Sequence, residues 1–384
     1  MTTHSPQVTA TGPLAGVRIL DLTSVVLGPM ATQILGDYGA EIIKVEALEG
    51  DLMRANGVSQ TPGMSSIFLA MNRNKRSVTI DMAHPEGQAL IRQMALQSDV
   101  LVENFKVGGL AKYGLDYASL KALNPRLIYC SITGFGQTGP YAERAGYDLM
   151  IQAMSGMMDI TGRADGTPGG GPQRVGVALT DLFTGVYACS AILAALEVRH
   201  RTGVGQLIDM ALLDVGMATL ANQAAGFLNT GKVPQRQGNS HPSLAPYQDF
   251  PTADGSMLLA IGNDGQFARF CEAAGQPQWA QDARYASNTL RVTHRETLIA
   301  AMQAVTPTRT TAQWIALLED KAVPCGPINT VGQAFADAQV QARGLVVNQP
   351  LALANTPNKA IKSIATVASP LRLVDTPPVV QRPP

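Results

Sequence analysis

The sequence has no excess of charge of either sign: 29 basic side chains balance 29 acidic ones. Without a whole-molecule field, bulk attraction of nucleic acid or an anionic membrane is excluded, and any anion site has to be local. Cysteine is scarce. Cys130, Cys189, Cys271 and Cys325 are far apart and form no CxxC pair, which removes zinc and dithiol-redox readings and leaves reduced thiols. His4, His84, His200, His241 and His294 form no HExxH pair, so no metal site is expected. Neither GxGxxG nor a Walker A loop occurs. The first strand-to-helix turn reads Thr23-Ser24-Val25-Val26-Leu27-Gly28-Pro29, which does not support close backbone approach to a pyrophosphate. A nicotinamide dinucleotide reading therefore lapses, although Glu46 ends the second strand where such folds carry a ribose-binding acid. The longest apolar stretch, around Tyr187–Leu196, falls short of the ~20 residues of a bilayer span. Met1–Pro13 lacks the basic and apolar regions of a secretory signal, and a cytoplasmic location is the expectation.

What is present is an ordinary globular composition, 46% hydrophobic and 15% charged, on 384 residues, a length that predicts more than one core. Short apolar runs alternate with helical spacing. Val17–Leu22, Glu41–Glu46, Ser77–Asp81, Val100–Glu103, Leu127–Ile132, Val175–Leu179 and Gln206–Leu212 read as strands. Pro29–Tyr38, Glu86–Gln97, Ala145–Met158 and Asp181–His200 read as helices, the last with Gly203 at the expected C-terminal cap. This rhythm predicts an α/β domain with an open parallel sheet. It changes after a helix at Ala218–Leu228. Asn229–Pro246 reads as a loop, and Tyr247–Phe250 and Ser256–Ile261 as a hairpin. Helices at Gln266–Ala274, Arg295–Val305 and Thr311–Lys321 complete a smaller α+β domain. The predicted organisation is 1–217 in the large domain, 218–325 in the small one, and 326–384 back in the large one.

Three places could carry chemistry. Asn72-Arg73-Asn74-Lys75-Arg76 is the densest basic cluster, in a loop before a strand, and Asn104-Phe105-Lys106 follows another strand, with Lys112 soon after. Placed together at the carboxyl edge of the sheet, these cations, amides and a ring suit a phosphorylated, base-bearing ligand; a solvated charged loop is the alternative. Asp181 ends a strand and opens a helix. By local sequence it reads first as an N-cap; the same position also suits a nucleophile that the helix dipole keeps ionised. Gly262-Asn263-Asp264-Gly265-Gln266 reads as a flexible loop, either an ordinary surface turn or a lid offering N–H groups to an oxyanion.

Together these segments resemble the class III CoA-transferase family, the group of formyl-CoA and carnitine CoA-transferases. The likeness runs through Gly16–Leu22, Gly28-Pro29, Gly39–Glu46, Asn72–Asp81, Val102–Lys106, Tyr129–Pro140, Arg144–Asp148, Gly176–Gly185 and Gly262–Phe267, in the family's order. The resemblance implies a Rossmann-like large domain with a smaller inserted one, and two ring-like subunits interlocked as a homodimer. It implies that Asp181 is the catalytic aspartate, with Asp148 and Tyr147 beside it, and that Gly262, Gly265 and Gln266 belong to the family's glycine loop. It implies CoA contacts at Val26, at Met71, Asn72, Arg73, Asn74 and Lys75, at Asn104, Phe105 and Lys106, and at Lys112. Coenzyme A and acyl-CoA enter as substrates, with no permanently bound cofactor and no metal. Formyl-CoA transferases carry glutamine and arginine where this chain has Val26 and Ala47, which argues against oxalate or formate. Gln381–Pro384 also stops short of the family's usual tail helix. His241–Gly255, Leu290–Val292 and Gly326–Val331 are most similar to the succinyl-CoA:glutarate type, implying a dicarboxylate. Arg54, Arg73 and Arg163 are candidates to hold a substrate carboxylate.

The implied chemistry is covalent: an aspartyl mixed anhydride followed by an aspartyl-CoA thioester. An α-methylacyl-CoA racemase is the rival, but such enzymes place histidine where this chain has Tyr147, and a neutral phenol is a poor base near pH 7. A non-catalytic CoA-binding protein is the third reading.

Overall fold

The computed structural model describes residues 12–58, 63–350 and 363–384. The polar segment 1–11, weighed above as a signal, lies outside them. The chain divides into two compact units. One comprises residues up to Met157, Arg174–Lys232 and the chain from Arg343; the other comprises Met158–Gln173 and Val233–Ala342.

The first unit is built on a six-stranded parallel sheet of order β3-β2-β1-β4-β5-β6. Its strands are β1 (Arg18–Leu22), β2 (Glu41–Glu46), β3 (Lys75–Thr79), β4 (Val100–Glu103), β5 (Ile128–Thr133) and β6 (Leu207–Ala211). Burial explains their composition. Every residue of β4 and β5 is buried, and both are mainly apolar, whereas the edge strand β3 exposes all but its first residue and is mostly polar. Helices α1 (Leu27–Asp37), α2 (Ser66–Met71), α3 (Pro85–Leu96), α4 (Tyr117–Leu123), α5 (Asp148–Met154), α7 (Leu179–Thr202), α8 (Leu212–Thr219) and α9 (Ala221–Thr230) belong to this unit, and the short α6 (Met157–Ile160) crosses to the other. One face of the sheet packs on α1 and α7 through Ile19, Ile42, Val102, Cys130, Leu35 and Ile192. The other packs on α3 and α4 through Leu20, Leu101, Tyr129, Ile91 and Leu120. The direction of the strand order reverses between β1 and β4, the place where such sheets open a ligand crevice at their carboxyl edge.

The second unit holds an antiparallel sheet of β7 (Tyr247–Pro251), β8 (Ser256–Ala260) and β9 (Cys325–Pro327). It also holds α10 (Asp264–Ala273), α11 (Asn288–Thr293), α12 (Arg295–Val305), α13 (Thr311–Asp320), α14 (Val331–Ala336) and α15 (Ala338–Ala342). Phe250, Leu259, Phe270, Met302 and Trp314 form its core. The hairpin β10 (Val346–Pro350) and β11 (Ser363–Val367) returns the chain to the first unit.

Several expectations are corrected. Val175–Leu179 is not a strand: Val175 N–H and Val177 C=O bond the side chain of Gln152 rather than a neighbouring strand, and the helix begins at Leu179. The helix expected over Ala145–Met158 is short and broken, with Gly156 at φ 88° between its pieces. The domain boundaries also move. α8 and α9 stay with the sheet, and β9 pairs with β8 instead of leading back. Met158–Gln173 joins the second unit, where Arg236 pairs with Asp159 (2.8 Å) and Asp165 (2.6 Å). Finally, α7 is long and apolar enough by composition to cross a bilayer, but half of its apolar stretch is buried within the protein.

Candidate active site

The carboxyl edge of the sheet carries a cleft of about 520 Å³. Its walls are Leu22–Ser24 after β1, Lys44–Leu52 around the end of β2, Ile80–Ala83 after β3, and the rings of Phe105 and Tyr113. Several charges in this wall are already paired. Lys44 Nζ lies 2.8 Å from Asp51 and donates to the Thr23 carbonyl. Arg54 holds Glu46 with two bonds of 2.7 and 2.6 Å. Burial raises the Glu46 carboxyl, but Arg54, Ser77 and the Asp51 N–H outweigh it and leave the pKa at about 2. Asn104 fixes the turn after β1 by accepting from Ser24 N–H (3.0 Å) and donating to Ser24 C=O (2.9 Å). Phe105 is held by its N–H donating to Glu103 (2.7 Å). Lys106 is exposed, and Lys112 Nζ stands 4.6 Å from the centre of the Tyr113 ring.

The cluster Asn72–Lys75 is elsewhere. In a parallel sheet, a loop that precedes a strand lies at the amino edge, opposite the loop that follows β4. There its charges are internal fastenings. Arg73 grips Asp37 at the end of α1 through bonds of 2.8 and 2.5 Å and donates to Val367 C=O. Asn74, at φ 64°, ties Asp37 and Val379 through its amide nitrogen and accepts from Gln381 N–H. Lys75 runs back beneath α1 to Asp21 (3.0 Å), Pro29 C=O and Asn72. Asp21 is fully buried; the desolvation that would raise its pKa is outweighed by Lys75, Lys44 and two threonine hydroxyls, which hold it well below the usual carboxylate range. Ile80–Ala83, after β3, stand where Met71–Lys75 were expected. The signal that could have found them was already in the sequence: their position after a strand rather than before one.

Asp181 is the third residue of α7, not its cap. The cap is Asp148, reaching in from α5. Its Oδ1 accepts from Thr180 N–H (2.9 Å), Thr180 Oγ1 (2.6 Å) and Asp181 N–H (3.4 Å), and its Oδ2 from Gln152 (2.7 Å). Two close contacts set this geometry. The chain before Asp148 crosses the end of β5 so tightly that a Cβ on Gly146 would meet the Gly134 backbone at 2.3 Å. One turn beyond Asp181, a Cβ on Gly185 would come within 2.9 Å of Leu27 C=O, so the first turns of α7 and α1 lie side by side.

Asp181 is only 7% exposed, and among the described residues no donor reaches its carboxylate. Burial, and then the Asp148 charge, push its pKa up to about 7. The expectation that the helix end keeps it ionised is overturned, because Asp148 takes the free N–H groups. Tyr147, just before Asp148, is 70% exposed and caps nothing with its side chain.

Gly262–Gln266 is not an open loop. Asn263 caps α10 by accepting from Gln266 N–H (2.9 Å), while the Gln266 side chain accepts from Gly262 N–H (2.8 Å). Asp264 receives Arg291 at 2.7 Å. Gly265 and Gln266 lie inside the helix. Of the arginines considered for a carboxylate, Arg54 and Arg73 are fully engaged, and Arg163 donates to Pro168 C=O in the second unit. No group of three metal-ligating side chains occurs among the described residues.

Residues 14–384 match the family model for CoA-transferase family III. A succinate–glutarate CoA-transferase from Agrobacterium fabrum is 51% identical over 88% of this chain and 85% of its own. A succinyl-CoA:glutarate CoA-transferase from Mus musculus is 45% identical over 87% of this chain and 76% of its own. A crystal structure of a CAIB/BAIF family protein from Brucella suis superposes with a TM-score of 0.85 at 46% identity, covering 97% of this chain and 96% of that one.

Proposed function

The chain belongs to CoA-transferase family III, and on that premise we propose that it moves coenzyme A between dicarboxylic acids, succinyl-CoA among its donors, through acylation of Asp181. The observation that carries this is the state of Asp181: a buried carboxyl with no donor, opposed by a second carboxylate, at the carboxyl edge of the sheet.

The Asp181 carboxylate attacks the donor thioester carbonyl; the C–S bond breaks and CoA leaves as thiolate. The thiolate then attacks the aspartyl carbonyl of the mixed anhydride, releasing the donor acid and leaving CoA on Asp181. The acceptor carboxylate attacks that thioester and forms a second anhydride. The returning thiolate attacks the acceptor's carbonyl, which frees the new acyl-CoA and restores the aspartate. A carboxyl of pKa about 7 is a more basic nucleophile than an ordinary aspartate and is half ionised at neutral pH. Acylation also removes its charge. The burial and the Asp148 repulsion that oppose the anion therefore favour both covalent intermediates.

The cleft beside Phe105 and Tyr113 suits the nucleotide end of CoA, with Lys106 and Lys112 for its phosphates and the aromatic rings for its base. No permanently bound cofactor enters the scheme. The names of the Agrobacterium and mouse relatives support a C4–C5 diacid as substrate. The exposed Phe183, Val186 and Tyr187 on α7, with Phe227 and Leu228 on α9, support self-association as a homodimer.

The test is chemical trapping. After incubation with succinyl-CoA, borohydride or hydroxylamine should modify the peptide containing Asp181, as read by mass spectrometry, and Asp181→Asn should lose at least about 10³-fold in turnover. Unmodified Asp181 with every acyl-CoA donor tried, or an active Asp181→Asn, would sink the covalent scheme.

A further inference from the structure

A dicarboxylic substrate brings a second carboxylate that takes no part in the bond changes, and it needs a cation. The paired cations of the sheet unit are unsuited to this: Arg18, Arg54, Arg73, Arg76, Arg199, Lys44 and Lys75 each already hold a protein carboxylate. Arg144 differs. Its guanidinium carbon lies 4.5 Å from the centre of the Tyr141 ring and 5.4 Å from that of Phe135, and those rings meet edge to face at 5.5 Å. Among the described residues no carboxylate pairs with it. A planar, permanently charged fork, laid on two rings and left without a counter-ion, is prepared for two-point capture of a carboxylate.

Its position fits the same role. Arg144 lies in the loop that joins β5 to α5, two residues before Gly146 crosses the strand end, and four before Asp148. Four residues span at most about 14 Å. Asp148 in turn accepts from the N–H of Asp181 itself. Arg174, next to the Val175 whose N–H bonds Gln152, is exposed and has no hydrogen bond, ion pair or ring contact among the described residues, so binding through it would first have to immobilise a free side chain.

We propose that Arg144 is the specificity residue that holds the non-reacting carboxylate of the dicarboxylic substrate; this rests on the transferase reading above. The experiment compares glutarate with pentanoate, the acid of equal length without the second carboxylate, as acceptors for the wild type, Arg144→Gln, Arg144→Lys and Arg174→Gln. In Arg144→Gln the kcat/KM ratio of glutarate to pentanoate should fall about 30-fold, mainly through the KM for glutarate, as expected for a lost charge-assisted pair. Arg144→Lys should recover part of it. Inhibition by free CoA should respond no more in Arg144→Gln than in Arg174→Gln. The proposal is overturned if the ratio is unmoved, if it collapses in Arg174→Gln instead, or if Arg144→Gln weakens CoA and both acids alike. A wild type that favours glutarate while Arg144→Gln keeps that preference defeats this inference alone. A wild type that transfers no CoA defeats the transferase reading.

Discussion

Two sets of buried charges in the same unit have opposite characters. Ahead of β3, Arg73, Asn74 and Lys75 are locked to Asp37, Asp21 and the C-terminal segment, and every charge has its complement. At the start of α7, Asp148 uses the helix N–H groups and leaves Asp181 buried with a like charge as its neighbour. In the first set each charge is answered by a partner within the protein. The second holds a carboxyl whose anion is opposed by burial and by a like charge, and in the proposed scheme acylation would remove that charge. Richness in charge is therefore a poor guide to the site, and a lack of partners is a better one.

The sharpest way to break the contrast is to remove a partner from the first set. Lys75→Met leaves Asp21 buried without its ammonium and should lower the unfolding free energy by about 3–5 kcal/mol in urea titrations at pH 7. Adding Asp21→Asn should recover much of that, since the pair is coupled. If Lys75→Met costs nothing, the network is decoration and the contrast fails.

The opposite sign is expected at Asp181. Its folded pKa is raised above the unfolded value, so the ionised carboxyl opposes folding. The penalty is absent below the ordinary aspartate range, grows as pH rises from about 4 to about 7, and is full above that. Asp181→Asn should thus be more stable than the wild type by roughly 2–4 kcal/mol at pH 8, with the gap closing toward pH 4. A gap independent of pH would mean that charge is not the cause.

Catalysis should report the same pKa. Turnover should rise with pH through about 7 as Asp181 ionises. Asp148→Asn keeps an oxygen to cap Thr180 but removes the like charge, so the acidic limb should move down by roughly one pH unit. An unmoved limb would assign the shift to burial alone.

Much of the sheet was legible because β1, β2, β4 and β5 are short apolar strands separated by helical spacing, and periodicity reports burial directly. Asp181 was legible through its family position and its place near a helix start. What periodicity could not reveal was direction. The basic residues before β3 resembled a ligand site because their partners, Asp37, Val379 and Gln381, lie 36 to 307 positions away. The strand expected at Val175 failed for a similar reason: a single glutamine side chain supplies the hydrogen bonds that a neighbouring strand would have given. Arg144 was overlooked because an exposed arginine is unremarkable until the rings beneath it are seen.

The smallest expected effect tests whether the contrast reaches the second unit. Gly262–Gln266 has the composition of a mobile lid, yet Asn263 caps α10 by accepting from Gln266 N–H, and the Gln266 side chain accepts from Gly262 N–H just before the helix. If that capping governs the segment, Asn263→Ala should cost about 1 kcal/mol of stability, within the range for a lost N-cap, and Asn263→Asp should cost little because its carboxylate accepts the same bond beside the helix dipole. A segment acting mainly as a gate would behave differently: both substitutions would leave the unfolding curve in place and change turnover instead. Measuring both quantities on both variants separates the two, because a satisfied cap and a free lid cannot yield the same pair of results.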